Sequence, residues 1–312
     1  MKIISYVHSK AIDIQRFIEQ LRYFSLDVFV KKAYLVNESI ADLIKTKTPA
    51  AIGKFGSTEL QTLRGFIRHS SSEKADKKTA YFRKILMEFS GVYPPNYKTF
   101  KNWSTFWINE VLPEMTIIGT WFNYNESRVV KKYSYNAKPM HSYGLEPYIF
   151  SNPWSAELKG KKVIVVSPFS KTIQVQYPKR KEIWVLNPNV LPEMELVTIQ
   201  CPTYPHLVKP KHNDWFESLD DMKKQIAATD FDVLLVGAGA YSLPLCTYAK
   251  SLGKVGIHLG GNMQLIFGIL GKRWLVEPNC SIDHKYFNDA WIYPLKEETP
   301  EGNDKVEDGC YW

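Results

Sequence analysis

The sequence predicts an α/β protein with a doubly wound, mainly parallel sheet and a helical extension at the N-terminus. From residue 50 onward, short apolar segments alternate with helix-like segments, as a chain of strands and covering helices would. Several of these segments, residues 232–236 above all, are continuously apolar, which is typical of parallel strands buried on both faces. The 312 residues, 45% of them hydrophobic, are enough for one large globular domain or two modest ones.

The first half of the chain is predicted to begin with helices. Residues 10–48 place apolar side chains near the helical period, and Asn37 is expected to cap a second helix. We therefore assign residues 1–48 to the extension and residues 49–312 to the α/β domain, with a possible lobe boundary near 155–160. The next elements alternate as strand 50–55, helices 60–67, 79–90 and 97–112, and strand 116–119. They form either a separate lobe or part of one continuous sheet.

The second half has the clearer alternation of elements. Its expected strands are residues 163–166, 183–186, 196–199, 232–236 and 255–258. Its expected helices are residues 213–228, capped by Asn213, a helix that Gly253 ends, and a short one from Asn262. Residues 123–160 have no clear period, and residues 283–312 are expected to wrap over the surface as a tail.

Composition excludes several classes of protein. No apolar run approaches the roughly 20 residues that span a membrane, and no signal peptide is evident, so we expect a cytoplasmic protein without a transmembrane segment. The four cysteines, including Cys280, are too scattered for a disulfide framework. The net charge of +8 favours an anionic partner, such as a nucleotide phosphate, a phospholipid surface or a nucleic acid.

Small and polar residues follow four of the expected strands, where parallel sheets bind their ligands. After strand 232–236 comes a turn that contains Gly237, Gly239 and Tyr241, and either a phosphate approaches it or the glycines serve packing. The turn lacks the third glycine of a dinucleotide site, and His258 stands where that site needs an acidic residue. We therefore reject NAD binding here.

The other strand ends offer basic, hydroxyl and acidic groups. His258 is followed by Gly260, Gly261 and Gln264, a polar cluster that favours ligand contact as much as a structural role. Lys171, after strand 163–166, is a further candidate for holding phosphate, although its segment could instead serve only to cap a helix. Arg273 is another candidate, and the alternative for it is a solvated basic turn. Gly56, Ser57 and Glu59 follow strand 50–55, where Glu59 acts either as a helix-terminal carboxylate or as a metal ligand or general base.

These segments together resemble the glycosyltransferase D-fold family of bacterial surface-glycan and polysaccharide biosynthesis. Residues 52–59 resemble its R-F-G-D-G-E segment, and residues 236–241, 257–268 and 271–274 resemble its relatives among polysaccharide genes more specifically. The terminal residues 297–300 and 309–312 add to the likeness. The resemblance covers residues 50–312 loosely and leaves the N-terminal helices outside.

The resemblance implies a transferase that uses a nucleotide-sugar donor and a glycan or glycoconjugate acceptor. In the family, a D-x-E motif helps to bind Mn²⁺ or Mg²⁺ and the donor diphosphate; here its Glu falls on Glu59, but its Asp falls on Ser57, a weaker ligand. Either the metal is held differently, or Lys54, Lys171 and Arg273 neutralise the diphosphate instead.

Glu59 and His258 are the expected catalytic groups, and Glu146 and His141 are the next candidates for this role. The expected donor-binding residues are Lys54, Gly56, Ser57, Lys171, Gly237, Gly239, Tyr241, Gly260, Gly261, Gln264 and Arg273. A non-catalytic glycan-assembly protein of the same fold is an alternative, which Ser57 motivates. A nucleic-acid-binding protein is the less favoured one, since the basic residues are dispersed and form no recognised motif.

Overall fold

A computed structural model describes the backbone of residues 2–202, 204–276 and 282–312, and the side chains from Lys10 onward. Its centre is one seven-stranded sheet in which every pair of neighbouring strands is parallel. Helices cover both faces of the sheet. The predicted fold class, a doubly wound α/β protein with N-terminal helices, is confirmed.

The strands are β1 Ala50–Lys54, β2 Ile117–Thr120, β3 Lys138–His141, β4 Lys162–Ser167, β5 Glu195–Gln200, β6 Val233–Val236 and β7 Val255–His258. Their order in the sheet is β3-β2-β1-β7-β6-β4-β5. From β1 the chain moves outward to β2 and β3, whereas from β4 it moves outward to β5 on the other side. The chain thus winds in two directions from the centre, and both halves share one continuous sheet.

The α-helices are α1 Lys2–Ser25, α2 Ala33–Lys45, α3 Ser57–His69, α4 Ala75–Ser90, α5 Tyr97–Phe106, α6 Glu126–Tyr133, α7 Ser170–Gln176, α8 Arg180–Ile183, α9 Trp215–Ala227, α10 Ser242–Ser251, α11 Asn262–Ile266 and α12 Lys272–Val276. Side chains from α3, α4, α5, α9 and α10 pack on one face of the sheet, and those from α2, α7 and α11 pack on the other. Because side chains alternate along a strand, Val163 and Val165 of β4 face one layer while Ile164 and Val166 face the other.

The second helix of the predicted extension is part of the protein core. Val36, Ile40 and Ile44 of α2 are completely buried in the layer that also covers β1 and β7. They follow the helical period, so one face of α2 packs inward along its whole length. In contrast, from Lys10 onward α1 leaves most of its apolar side chains exposed.

Two predicted helix caps are wrong. α2 begins at Ala33, so Asn37 lies inside the helix, where its side chain accepts a hydrogen bond from the Trp154 backbone N–H at 2.7 Å. The Asn37 side-chain amide therefore makes a tertiary hydrogen bond and does not cap the helix. α9 is capped by Asp214 in place of Asn213, because the Asp214 carboxylate accepts the first-turn N–H of Glu217.

Residues 183–186 are not a strand, contrary to the prediction. Ile183 ends α8, and a turn follows it. Ile183 and Trp184 are buried, whereas Val185 and Leu186 face solvent. Two adjacent buried residues followed by two exposed ones fit a helix end, and a run of four apolar letters does not distinguish this pattern from a strand.

The C-terminal segment is not a surface tail, although it is made largely of short 3₁₀ turns. Ile282, Trp291 and Val306 are buried, and Ile292 pairs with Ile269 in an isolated parallel bridge. These widely spaced apolar side chains have no helical or strand period, and their burial could therefore not be predicted from a local pattern. β3 likewise lies in the segment 123–160 that had no clear pattern.

Two further features concern chemistry and environment. Cys201 and Cys246 are buried free thiols, Cys310 is buried, and Cys280 lies outside the described residues. None of the helices in the described ranges is both long enough and apolar enough to cross a membrane.

Candidate functional site

A cavity of about 670 Å³ opens at the carboxyl ends of the central strands β1, β4, β6 and β7. This is the edge of a parallel sheet at which ligands bind. The cavity brings together most of the residues that the sequence singled out: Lys54, Gly56, Ser57, Glu59, Gly237, Gly239, His258, Gly260, Gly261, Gln264 and Arg273. Glu146 lines it as well.

Three candidates lie elsewhere. The Tyr241 ring is buried in the core and stacks on Trp215 at 4.9 Å, because the first turn after β6 directs it toward the helical layer. The Lys171 side chain is exposed, and its Nζ lies 2.7 Å from Glu297 on the surface. His141 ends β3 and packs its ring against Tyr143.

Glu59 lies in the first turn of α3, directly after β1. Its carboxylate folds back over Gly56, so closely that a Cβ built on Gly56 would lie 1.9 Å from Oε2. A side chain at position 56 would therefore displace the Glu59 carboxylate, and Ser57 lies beside it in the cavity wall. Burial raises the pKa of Glu59, while a hydrogen bond from Ser90 and one from its own backbone partly oppose the rise. A raised pKa makes this carboxylate a stronger base than that of a free glutamate, which favours a role as a general base.

Lys54 is the last residue of β1 and is almost completely buried. Its Nζ lies 4.5 Å from the centre of the Trp121 ring and 4.0 Å from Glu146 Oε1. Burial lowers the pKa of Lys54, and the Glu146 charge acts in the opposite direction. Glu146 also accepts hydrogen bonds from Asn262 at 2.6 Å and Tyr148 at 3.3 Å. The amine is thus held in the cavity wall by groups from several strand ends.

His258 is a weaker candidate for a base than Glu59. Its Nδ1 lies 3.2 Å from both the Val236 carbonyl oxygen and the Gly260 backbone nitrogen. Burial, assisted by the charge of Lys54, lowers the pKa of His258 to about 3. The imidazole is therefore neutral at physiological pH and binds protons weakly, which suits it to hold the β7 loop in place.

The glycines after β6 are closely packed by the protein itself. A Cβ on Gly237 would lie 2.7 Å from the Gly260 carbonyl oxygen. Gly239 has a φ of +52°, and a Cβ there would lie 2.9 Å from the Ser90 carbonyl oxygen. Close packing thus explains why glycine occupies both positions, and contact of this turn with a phosphate stays a prediction.

The C-terminal segment forms one wall of the cavity. Gln264 Nε2 donates to the backbone oxygens of Leu270 at 3.1 Å and Tyr311 at 3.2 Å. Arg273 donates to the Tyr311 hydroxyl at 3.1 Å and to the Glu307 carboxylate at 2.8 Å. Gln264 therefore acts as a tether for this wall, and the Arg273 guanidinium is held by it.

The metal ion that the resemblance implies does not fit these residues. Across residues 2–202, 204–276 and 282–312, no group of three or more His, Cys, Asp and Glu side chains is placed to hold a metal ion. Glu59 has a serine hydroxyl beside it at position 57 where the family motif has a second carboxylate, and hard divalent cations prefer several carboxylate oxygens. We derive no step through a metal.

Sequence reasoning missed part of the cavity lining. Arg16 and Asp13 of α1 lie at the cavity, although this helix was placed outside the α/β domain. Trp121 and Tyr143 supply aromatic surface from the segments after β2 and β3. The sequence is 14% aromatic, but composition alone does not indicate which aromatic side chains lie at a site.

Comparisons of the chain with protein families, with curated proteins and with solved structures return no significant match. The fold and the cavity therefore define the class to which we can assign it: a doubly wound α/β protein with a ligand-sized cavity at the carboxyl edge of its sheet.

Proposed function

We propose that the protein is a glycosyltransferase that moves a sugar from a nucleoside-diphosphate sugar to a hydroxyl group of a glycan acceptor. The observation that carries the proposal is the presence of Lys54 and Glu59, a buried cation and a carboxyl group of raised pKa, in one cavity. The cavity volume of about 670 Å³ lies within the range for small-molecule sites.

The charges of the cavity suit a diphosphate leaving group. Lys54 at the end of β1 and Arg273 of α12 are cations in its wall, and the N-terminus of α3 adds backbone N–H groups and a positive dipole. Lys54 has one carboxylate within 4.0 Å, and Arg273 is fixed by Tyr311 and Glu307. Positioned cations stabilise charge that develops during bond cleavage without a metal.

Glu59 supplies the base for the acceptor. Its carboxylate takes the proton from the acceptor hydroxyl as that oxygen bonds to the anomeric carbon of the donor. The bond from this carbon to the phosphate oxygen breaks, and the nucleoside diphosphate leaves with the electron pair near Lys54. Trp121 and Tyr143 offer aromatic faces for the C–H face of a sugar or for a base.

The test is a thermal-shift panel of UDP-, GDP-, CMP- and dTDP-sugars, followed by transfer and hydrolysis assays with and without EDTA. A ligand at about 100 times its Kd stabilises the folded state by about 2.7 kcal/mol, a measurable rise in Tm. We expect stabilisation by one of the diphosphate donors and not by the CMP-sugar, which has a single phosphate, and turnover that persists in EDTA. Stabilisation without turnover would support the non-catalytic alternative, and no stabilisation by any donor would refute the proposal.

A further inference from the structure

The outward face of α1 is an unbroken apolar stripe. Its side chains are 44–83% exposed and recur at the helical period, and we call them the α1 stripe: Ile14, Phe17, Ile18, Leu21 and Phe24. A helix face of this kind in water is unfavourable unless another apolar surface covers it.

The opposite face of α1 is anchored to the protein. Glu19 is completely buried, and its carboxylate accepts the backbone N–H of Ser127 at 2.8 Å and that of Asn125 at 3.0 Å. Tyr23 is buried as well and packs edge-on against Phe122. These contacts fix the rotation of the helix, so the α1 stripe faces away from the core.

A cationic groove of about 450 Å³ lies between α3 and α6. We call it the basic groove, after the basic side chains in its wall: Arg64, Arg68, His69, Arg128 and Lys132. In the part of the chain that the structure describes, its lining contains no Asp or Glu, and no carboxylate lies within 4.0 Å of the nitrogens of its Arg and Lys side chains. An anionic partner in the basic groove would meet no acidic side chain in the lining described.

The basic groove flanks α1. The Tyr124 ring in the groove has the guanidinium of Arg22 from α1 4.7 Å from its centre, and that of Arg64 from α3 at 4.6 Å. Lys131 of α6 donates to the Leu26 carbonyl at the end of α1. The basic groove therefore lies along the flank of α1, on the side where Arg22 also pairs with Glu19.

We propose that the α1 stripe and the basic groove together dock on an anionic lipid bilayer. Helices that lie in a membrane interface combine an apolar face with flanking Lys and Arg, which attract acidic headgroups. A second copy of the chain carries the same net charge of +8, so it offers no excess of acidic groups for the basic groove. A nucleic acid would neutralise the groove but leave the stripe in water. The lipid surface satisfies both features at once.

Docking through α1 would also fix the position of the large cavity relative to the bilayer. Ile12, Asp13 and Arg16 of the same helix line that cavity on the inner side of α1. A bilayer against the outer side would therefore be separated from the cavity wall by α1 alone. This consequence follows from geometry alone, and the docking proposal does not depend on the reaction.

The test is flotation of the full chain with vesicles of phosphatidylcholine, with and without phosphatidylglycerol. We expect binding to the anionic vesicles and its loss at high salt. Leu21→Ser with Phe24→Ser should weaken binding by at least about tenfold, since buried apolar side chains contribute that much or more. Arg68→Gln with Arg128→Gln should weaken it by about fivefold per charge.

Two matched pairs serve as controls. Val185→Ser with Leu186→Ser removes exposed apolar groups elsewhere, and Lys209→Gln with Lys211→Gln removes the same charge elsewhere. Both should bind like the unmodified chain, and circular dichroism should show all variants folded, because the substituted side chains are exposed. Equal binding to neutral vesicles, equal loss in the controls, or no vesicle binding would overturn the proposal. So would a dimer in light scattering that Leu21→Ser with Phe24→Ser dissociates while vesicles stay unbound.

Discussion

Glu59→Gln should abolish most of the turnover while leaving the protein folded. The substitution keeps the shape of the side chain but removes its ability to accept a proton. General-base catalysis contributes about 10²–10⁴-fold, so we expect kcat to fall by that factor. The assay is transfer from the donor that the thermal-shift panel identifies, with Kd for the donor measured in parallel and expected to change little.

The structure sets the expected effect on stability and its sign. A carboxylate at a helix N-terminus contributes only about 0.3–1 kcal/mol, and burial of the Glu59 charge acts against this contribution. Because the folded-state pKa is raised above the ordinary 4.5, the native protein loses stability as pH rises from 4.5 through that raised pKa. Glu59→Gln lacks this loss, so its Tm should match the native Tm at acidic pH and equal or exceed it at alkaline pH.

Glu217→Gln is the matched control. Glu217 occupies the third position of α9, as Glu59 does in α3, and its exposed carboxylate accepts the Asn213 N–H at 2.9 Å. We expect normal turnover from this variant. If Glu59→Gln turns over normally, or if its sole defect is a lower Tm with unchanged kcat, then Glu59 is only a helix cap and the catalytic reasoning fails.

Three further predictions concern neighbouring groups. Lys54→Met should weaken donor binding about 10–100-fold, the effect of losing a charge-assisted hydrogen bond, whereas Lys171→Met outside the cavity should not; equal affinities in isothermal titration would contradict this. The His258 imidazole should stay neutral from pH 8 to pH 5 in an NMR titration, and a titration near pH 6.5 would refute this assignment. Because the folded-state pKa of His258 is lowered from 6.5 to about 3, the native protein should lose stability relative to His258→Gln as pH falls from 6.5 toward 3. Gly239→Ala should lower Tm even without donor, because of its φ of +52° and the Ser90 carbonyl 2.9 Å away, and an unchanged Tm would argue against the packing role.

The elements that sequence predicted best are those with strong local patterns. The strands β1, β4, β6 and β7 were placed within a residue or two, because each is a short apolar run beside a glycine or a polar turn. Residues 183–186 were misassigned, since the same letters also describe a helix end with half of its side chains buried. β3 has the weak pattern Lys-Pro-Met-His at the edge of the sheet, where little burial is needed.

The sequence predicted most residues of the candidate site, but it did not predict how their side chains are arranged. Carboxyl ends of parallel strands meet at one edge of the sheet, so the residues after four such strands gathered in one cavity as expected. Lys171 and Tyr241 follow strands too, but their first helical turns direct one to solvent and the other into the core. Which way a side chain points after a strand depends on the turn that follows, and local sequence leaves this open.

The sequence by itself therefore determined the alternation of strands and helices, the parallel sheet and the edge at which a site would form, because these follow from short-range periodicity and from glycine placement. Only the tertiary structure decided that Glu59 folds over Gly56, that the C-terminal segment walls the cavity, and that α1 presents its apolar stripe outward. Those features depend on contacts between residues far apart in the chain. Burial and charge at such contacts set the pKa of Glu59, Lys54 and His258, and no local pattern encodes them.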